Sequence, residues 1–166
     1  MKMLLFTFAG LIFSSAILAQ EAGRKFTPSI KIGAGIWTDE PSVFNAELGF
    51  QGEYKPSARF SLYGNISYNR MFAFEEISYG INHMNFFAGP RIYLGKSFLT
   101  GFGVGYLLPF GNEVSGGGSI GINPHIGLDR PKTQWTLNYT AAVEDGVYGY
   151  ISLAAAFKLG TKKAAN

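Results

Sequence analysis

The sequence predicts an all-β protein, an eight-stranded antiparallel transmembrane up-and-down β-barrel, and three observations carry that prediction. From Ile30 to Leu159 the chain falls into eight stretches in which every second residue is apolar, the period expected of strands with one apolar face. The opposite positions, among them Lys31, Glu47, Gln51, Asn65, Arg91, Asn123, Gln134 and Asn138, are too polar for an ordinary core. The apolar face is therefore read as facing lipid and the polar face as lining the lumen. Composition agrees: 22 glycines, 15 phenylalanines and 9 tyrosines stand in 166 residues of which 15% are charged, a charged share well below that of soluble domains.

The N-terminus precedes this pattern. MKMLLFTFAGLIFSSAILA has Lys2 as a short positive region, an apolar run from Met3 to Phe13 and small residues before a cut after Ala19, the layout of a secretory signal peptide. A membrane anchor is the other reading, and the run is short of the ~20 residues a helical span needs. The expected division is a signal peptide at 1–19, one barrel domain at 20–160 and a short polar tail at 161–166. The formal charge of +3 falls to +2 without Lys2. With no cysteine, disulfide stapling is impossible. Basic residues are read as scattered over turns and strand ends, which gives no warrant for nucleic-acid binding or a cationic surface helix.

The strands follow from the beat. The first, about 29–37, points Ile30, Ile32, Ala34 and Ile36 outward, and the second, about 43–55, does the same with Phe44, Ala46, Leu48 and Phe50. The third sends Phe60, Leu62, Ile66 and Tyr68 out, with Arg59, Ser61, Tyr63, Asn65 and Ser67 inward. The fourth alternates Met84, Phe86, Ala88 and Ile92 with His83, Asn85, Phe87 and Arg91. The fifth exposes Phe98, Phe102, Val104 and Tyr106 over inward glycines, and the sixth exposes Ile120, Ile122, Ile126 and Leu128. The seventh turns Trp135, Leu137 and Tyr139 outward, and the eighth Ile151, Leu153, Ala155, Phe157 and Leu159. Each is long enough for a tilted wall, for which ~9 to 11 residues suffice. Pro90 and Pro124 interrupt this scheme inside strands, where each removes a ladder donor, and β-bulges or a local shift of the strand boundary are expected there.

Connections divide into a short set, at 55–58, 95–97 and 129–132, and a second set at 38–42, 70–80, 108–118 and 144–146, two of which are long. In outer-membrane barrels the short set is periplasmic and the long set extracellular. Tyr54, Tyr68, Tyr93, Tyr106, Trp135 and Phe157 fall near strand ends, where an aromatic girdle is expected.

The inward charges form the candidate site. Lys31, Glu53, Arg59, Arg91, Asp129 and Lys158 lie towards the short-turn end and Glu47 sits deeper. Charges in a narrow lumen must be paired or hydrated, so the sequence predicts a polar plug in which Glu53, Asp129 and Glu47 partner Arg59, Arg91 and Lys31. Eight strands leave a lumen that side chains fill. Inward Gly33, Gly35, Gly101, Gly103, Gly105 and Gly121 either relieve crowding or leave a ligand cavity, with Trp37, Tyr63, Phe87, Tyr148 and Tyr150 available to fill the space.

Catalysis has little footing, so no catalytic, cofactor-binding or metal-binding residues are assigned. A hydrolytic site needs a nucleophile beside a base and an orienting group. His83 has Ser67 as a candidate neighbour, and His125 has Thr100, Asn138 and Asp129. Glu75 and Glu76 with residues 78–80 form an acidic loop edge suited to a cation or lipopolysaccharide, or simply to water. Metal-ligand clusters are absent from the sequence.

FAGPRIYLG (87–95) and GYISLAAAFKLG (149–160) have the phenylalanine- and glycine-rich style of Bacteroidetes barrel proteins. Residues 20–160 resemble the small eight-stranded bacterial outer-membrane barrels of the OmpA-like or OmpX-like kind. The resemblance implies export to the outer membrane and a monomer surrounded by outer-membrane lipids and lipopolysaccharide. It further implies insertion by the barrel-assembly machinery, with Phe157 as the aromatic near the C-terminal end, although the chain runs on into LGTKKAAN. The expected role is structural or an interaction of the loops with an unidentified extracellular ligand, without a cofactor. A narrow pore for ions or small solutes and a lipid-modifying enzyme are the alternatives. Lipid A deacylases and palmitoyltransferases share the architecture, but the deacylase His-x-Ser pattern is not met, since Gly127 stands two positions after His125. A soluble lipocalin-like barrel would need its polar face outside.

Overall fold

A computed structural model describes residues 26–38, 43–73, 82–110, 117–143 and 149–160; the expected signal peptide, the tail and Tyr148 lie outside the described residues. Eight strands follow in chain order: β1 (Phe26–Trp37), β2 (Val43–Tyr54), β3 (Phe60–Ala73), β4 (Asn82–Leu94), β5 (Phe98–Phe110), β6 (Ser119–Asp129), β7 (Thr133–Ala142) and β8 (Gly149–Lys158). Each pairs antiparallel with the next, and β8 returns to β1 from Ser29–Lys158 to Trp37–Tyr150, closing the barrel. Closure matters for a wall in hydrocarbon, because it leaves no edge strand with unpaired N–H and C=O groups.

The side-chain alternation makes this barrel polar within. On β2, Leu48 and Phe50 are 58% and 62% exposed while their neighbours Glu47 and Gln51 are buried at 7% and 4%. The same division runs through Ile92 against Arg91, Leu137 against Asn138 and Leu153 against Ser152. Among the described residues, buried polar and charged side chains outnumber buried apolar ones. In water this arrangement would expose a continuous apolar band, whereas in lipid it buries one. The outside-polar lipocalin arrangement is thereby excluded.

Several boundaries differ from the sequence reading. β1 begins at Phe26, three residues before the expected start, because Phe26–Ser29 find partners in Tyr54–Gln51 of β2. Residues 70–73 and 108–110, expected in loops, belong to β3 and β5. Arg70 pairs with Asn82, Met71 with Asn45, and Leu108, Pro109 and Phe110 with Met84, His83 and Asn82. Backbone partners extend a strand past the point where its hydrophobic beat fades.

The bulges expected at Pro90 and Pro124 are not formed. On the β4–β5 ladder the register is the same at Ala88–Val104 and Arg91–Gly101, so no residue is inserted; only the two intervening pairs are missing. The β6–β7 ladder likewise keeps its register from Ile122–Ala141 to His125–Asn138. Each proline still pairs on its other side, Pro90 with Leu62 and Pro124 with Phe102. A proline lacks one donor towards one neighbour, and the barrel absorbs that as a one-sided gap. Beside Pro124 a lumen-side bond from Asn123 Nδ2 to Thr140 Oγ1, 2.8 Å, spans the same two strands.

The inward glycines relieve crowding. A Cβ on Gly101 would strike His125 and Arg91, on Gly103 the Tyr63 hydroxyl, and on Gly121 the side chains of Leu107 and Phe87. Neighbouring side chains already occupy the space that a ligand cavity would require. Gly95 has a different role: its φ of +74° makes the tight turn between β4 and β5.

Candidate functional site: the polar lumen

Arg91 is the hub of the lumen. It sits on β4 close to the short-turn end, on the inward parity of its strand, and is 2% exposed. Its Nε donates to His125 Nε2 at 2.9 Å, Nη1 to Gln134 Oε1 at 2.8 Å and Nη2 to Gln51 Oε1 at 3.1 Å. The guanidinium also lies 3.9 Å from the centre of the Tyr63 ring, a cation–π contact. These partners come from β2, β3, β6 and β7, so one side chain ties together strands on opposite sides of the barrel.

Glu53 is its counter-charge, 3.8 Å from Arg91 Nη1. One carboxylate oxygen accepts from Ser61 Oγ and the Tyr93 hydroxyl, and the other from Gln134 Nε2 at 3.1 Å. Gln51 Nε2 completes the layer by donating to Gln134 Oε1 at 2.8 Å. Planar guanidinium and amide groups suit this site because they offer several directed donors from one rigid end. A buried ion pair is weakly stabilising unless its remaining donors and acceptors are satisfied, and here the two glutamines and two hydroxyls satisfy them.

Towards the turns, Asp129 pairs with Lys158 and lies 3.7 Å from Lys55 Nζ. Lys55 Nζ also stands 3.3 Å from the Tyr93 ring centre, directly below the plug. On the other side of the plug, Lys31 donates to Glu47 at 2.8 Å as a separate buried pair. Of the seven residues singled out from sequence, six are thus placed in three groups: Arg91 with Glu53, Lys31 with Glu47, and Asp129 with Lys158. The expected match of Asp129 with Arg91 is replaced by Glu53, which reaches Arg91 from β2.

Arg59 does not join them. It lies exposed in the turn before β3, and its main-chain carbonyl accepts from Tyr93 N at 2.9 Å. The turn is one residue longer than the beat implied, which leaves the side chain in water, where its charge needs no partner. Tyr93 departs from its expected place in the aromatic girdle. It is 3% exposed and bonded to Glu53, whereas Tyr54, Tyr106, Trp135 and Phe157 face outward. The sequence reading also left Gln51, Ser61, Tyr63, Gln134 and His125 outside the plug. Their inward parity was visible, but which inward residues meet across the lumen depends on strand stagger.

The half of the lumen nearer the long connections is bonded differently. Asn45 donates to Asn69 and Asn69 to Ser67, each at 3.1 Å, and Asn85 donates to the Tyr150 hydroxyl at 2.7 Å. Yet Asn45 Oδ1, Asn85 Oδ1 and both ring nitrogens of His83 are buried without a hydrogen-bond partner. His83 faces Asn69 on β3, while Ser67 faces Asn85.

His125 is not set up as a catalytic base. His125 Nε2 accepts from Arg91 and Nδ1 lies 3.1 Å from the Asn123 carbonyl, so both nitrogens are engaged and the tautomer with a proton on Nδ1 is fixed. Among the described residues, no cluster of three or more His, Cys, Asp or Glu side chains is placed to hold a metal ion. What the arrangement does chemically is fill and cross-link the lumen.

An apolar exterior, complete strand closure and a self-paired polar interior define the class: this is a small transmembrane β-barrel. No protein-family model matches the chain, and no curated protein matches it in sequence. Its fold is similar to that of a de novo designed transmembrane β-barrel, with a TM-score of 0.58 and 13% identity over 80% of this chain and 95% of that one. It is also similar to the Yersinia pestis outer membrane protein Ail in a phospholipid bilayer nanodisc, with a TM-score of 0.55 and 15% identity over 80% of this chain and 98% of that one. Ail in complex with the heparin analogue sucrose octasulfate gives a TM-score of 0.51 at 15% identity, covering 81% and 98% of the two chains.

Proposed function

We propose that the protein is a plugged, non-conducting barrel of the bacterial outer membrane, whose work is structural or an interaction made by its extracellular connections. The observation that carries this reading is the layer of Arg91, Glu53, Gln51 and Gln134, which ties opposite walls and occupies the lumen where an ion path would run. A selective pore would need the same groups arranged around an open axis. Export by the segment 1–19 and insertion through the barrel-assembly machinery accord with the apolar exterior. Outer-membrane lipids and lipopolysaccharide then surround a monomer whose short turns are periplasmic.

On this reading the connections at 74–81 and 111–116 carry any contact with an extracellular ligand, because the barrel wall is given over to lipid and the lumen to self-pairing. A lipid-modifying activity is disfavoured by the engagement of both His125 nitrogens. The test is protease added to intact cells that produce the protein. Cleavage within 74–81 or 111–116, with the barrel strands protected, is the expected result; cleavage only after the outer membrane is opened would overturn the orientation.

A further inference from the structure

Charges outside the lumen are divided by end. The connections 39–42, 74–81, 111–116 and 144–148 contain seven acidic residues and no lysine or arginine. The three short turns contain Lys55, Arg59, Lys96, Arg130 and Lys132 and no acid. Most of the basic residues that looked scattered along the sequence are therefore collected by the fold at one rim; Arg70, exposed on β3 near the other rim and set over the Phe72 ring, is the exception. Lys55 approaches Asp129, but Arg59, Lys96, Arg130 and Lys132 are exposed and take part in none of the ion pairs among the described residues.

A second observation fixes their depth. Four of the five basic side chains stand within three residues of an outward aromatic at the same rim: Lys55 beside Tyr54, Arg59 beside Phe60, Lys96 near Phe98, Lys132 near Trp135. Those rings are 43%, 38%, 39% and 45% exposed on the lipid-facing side of the wall. Aromatic rings at strand ends sit at the boundary between hydrocarbon and headgroups. Cations one to three residues beyond them are level with the phosphates.

We infer that the short-turn rim is a docking ring for anionic phospholipid headgroups of the leaflet it reaches. The arginines offer paired donors to a phosphate and the lysines mobile point charges. A soluble anionic polymer would be attracted by the same charges, but it would give no reason for four of the five to stand next to a membrane-anchoring ring. The inference rests on the membrane-spanning reading, and the experiment separates the two.

The full chain is reconstituted in phosphatidylcholine vesicles carrying a trace of spin-labelled phosphatidylglycerol or spin-labelled phosphatidylcholine, and the immobilised fraction of each lipid is compared. The expected result is a preference for phosphatidylglycerol of roughly five-fold or more, the equivalent of one cation near the surface. That preference falls towards unity in high salt and in the variant R59Q/K96Q/R130Q/K132Q, whose changes are all in exposed turn positions. Equal immobilisation of the two lipids, or a preference that survives both treatments, would overturn the docking ring. Equal immobilisation together with salt-sensitive retention on isolated peptidoglycan would assign the rim to a polymer instead. Failure of the wild type to float with either vesicle would overturn the membrane reading itself. Should the variant fail to fold, the salt dependence of the wild type still decides.

Discussion

The two halves of the lumen are lined by the same kinds of side chain and are bonded in opposite ways. Near the short turns, Arg91, Glu53, Gln51, Gln134 and Ser61 leave no buried side-chain atom without a partner; Asn65, the ladder partner of Gln51 on β3, is the exception beside them, with its Oδ1 unpaired. Near the long connections, Asn45, Asn85 and His83 each leave at least one. A buried polar group stabilises only when it is paired and costs free energy when it is not. Polarity alone therefore says little about where the barrel is strong; the closed network does, and it places rigidity low in the lumen and, outside the Lys31–Glu47 pair, tolerance to substitution high.

Substitutions test this difference directly, each read as the urea midpoint of the folded barrel in detergent or vesicles. Arg91→Met has the largest expected effect, a loss of ~3–5 kcal/mol, because it leaves the Glu53 carboxylate without its counter-charge and Gln51 Oε1 without its donor. Unchanged resistance would show that the plug is not what holds the walls. Lys31→Met leaves only Glu47 uncompensated and should cost less, about 3 kcal/mol. A loss equal to that of Arg91→Met would mean that the size of the network adds nothing beyond one ion pair.

His83→Leu, in the poorly bonded half, is expected to change stability by no more than ~1 kcal/mol, since both ring nitrogens lack partners to lose. A loss as large as that at Arg91 would erase the contrast between the halves. Arg59→Gln, in the exposed turn, should fall within ~0.5 kcal/mol of the wild type. A larger loss would return Arg59 to the lumen network from which its position removes it.

The sequence made the barrel legible because lipid and lumen impose opposite demands on adjacent residues. Leu48 and Phe50 against Glu47 and Gln51 declare both faces within four positions. The pairing of charges was less legible. Lys31 meets Glu47 across neighbouring strands β1 and β2, a short-range relation that strand order alone suggests. Arg91 meets Gln134 and Gln51 across the lumen, and that depends on stagger and tilt, which no local pattern carries. Arg59 falls outside the network because β3 begins one residue later than the alternation implies, at Phe60, with its parity unchanged, so Arg59 belongs to the turn and not to the wall. The two prolines show the converse: a local rule against proline in strands was met by a one-sided gap, which required no extra residue.

The central claim is that the Arg91–Glu53 layer closes the lumen, and the current carried by refolded protein in planar lipid bilayers tests it most directly. Protein shown independently to have inserted is expected to give no discrete single-channel steps. Reproducible steps from the wild type would contradict the account, because they would require an open path past Arg91, Gln134 and Gln51.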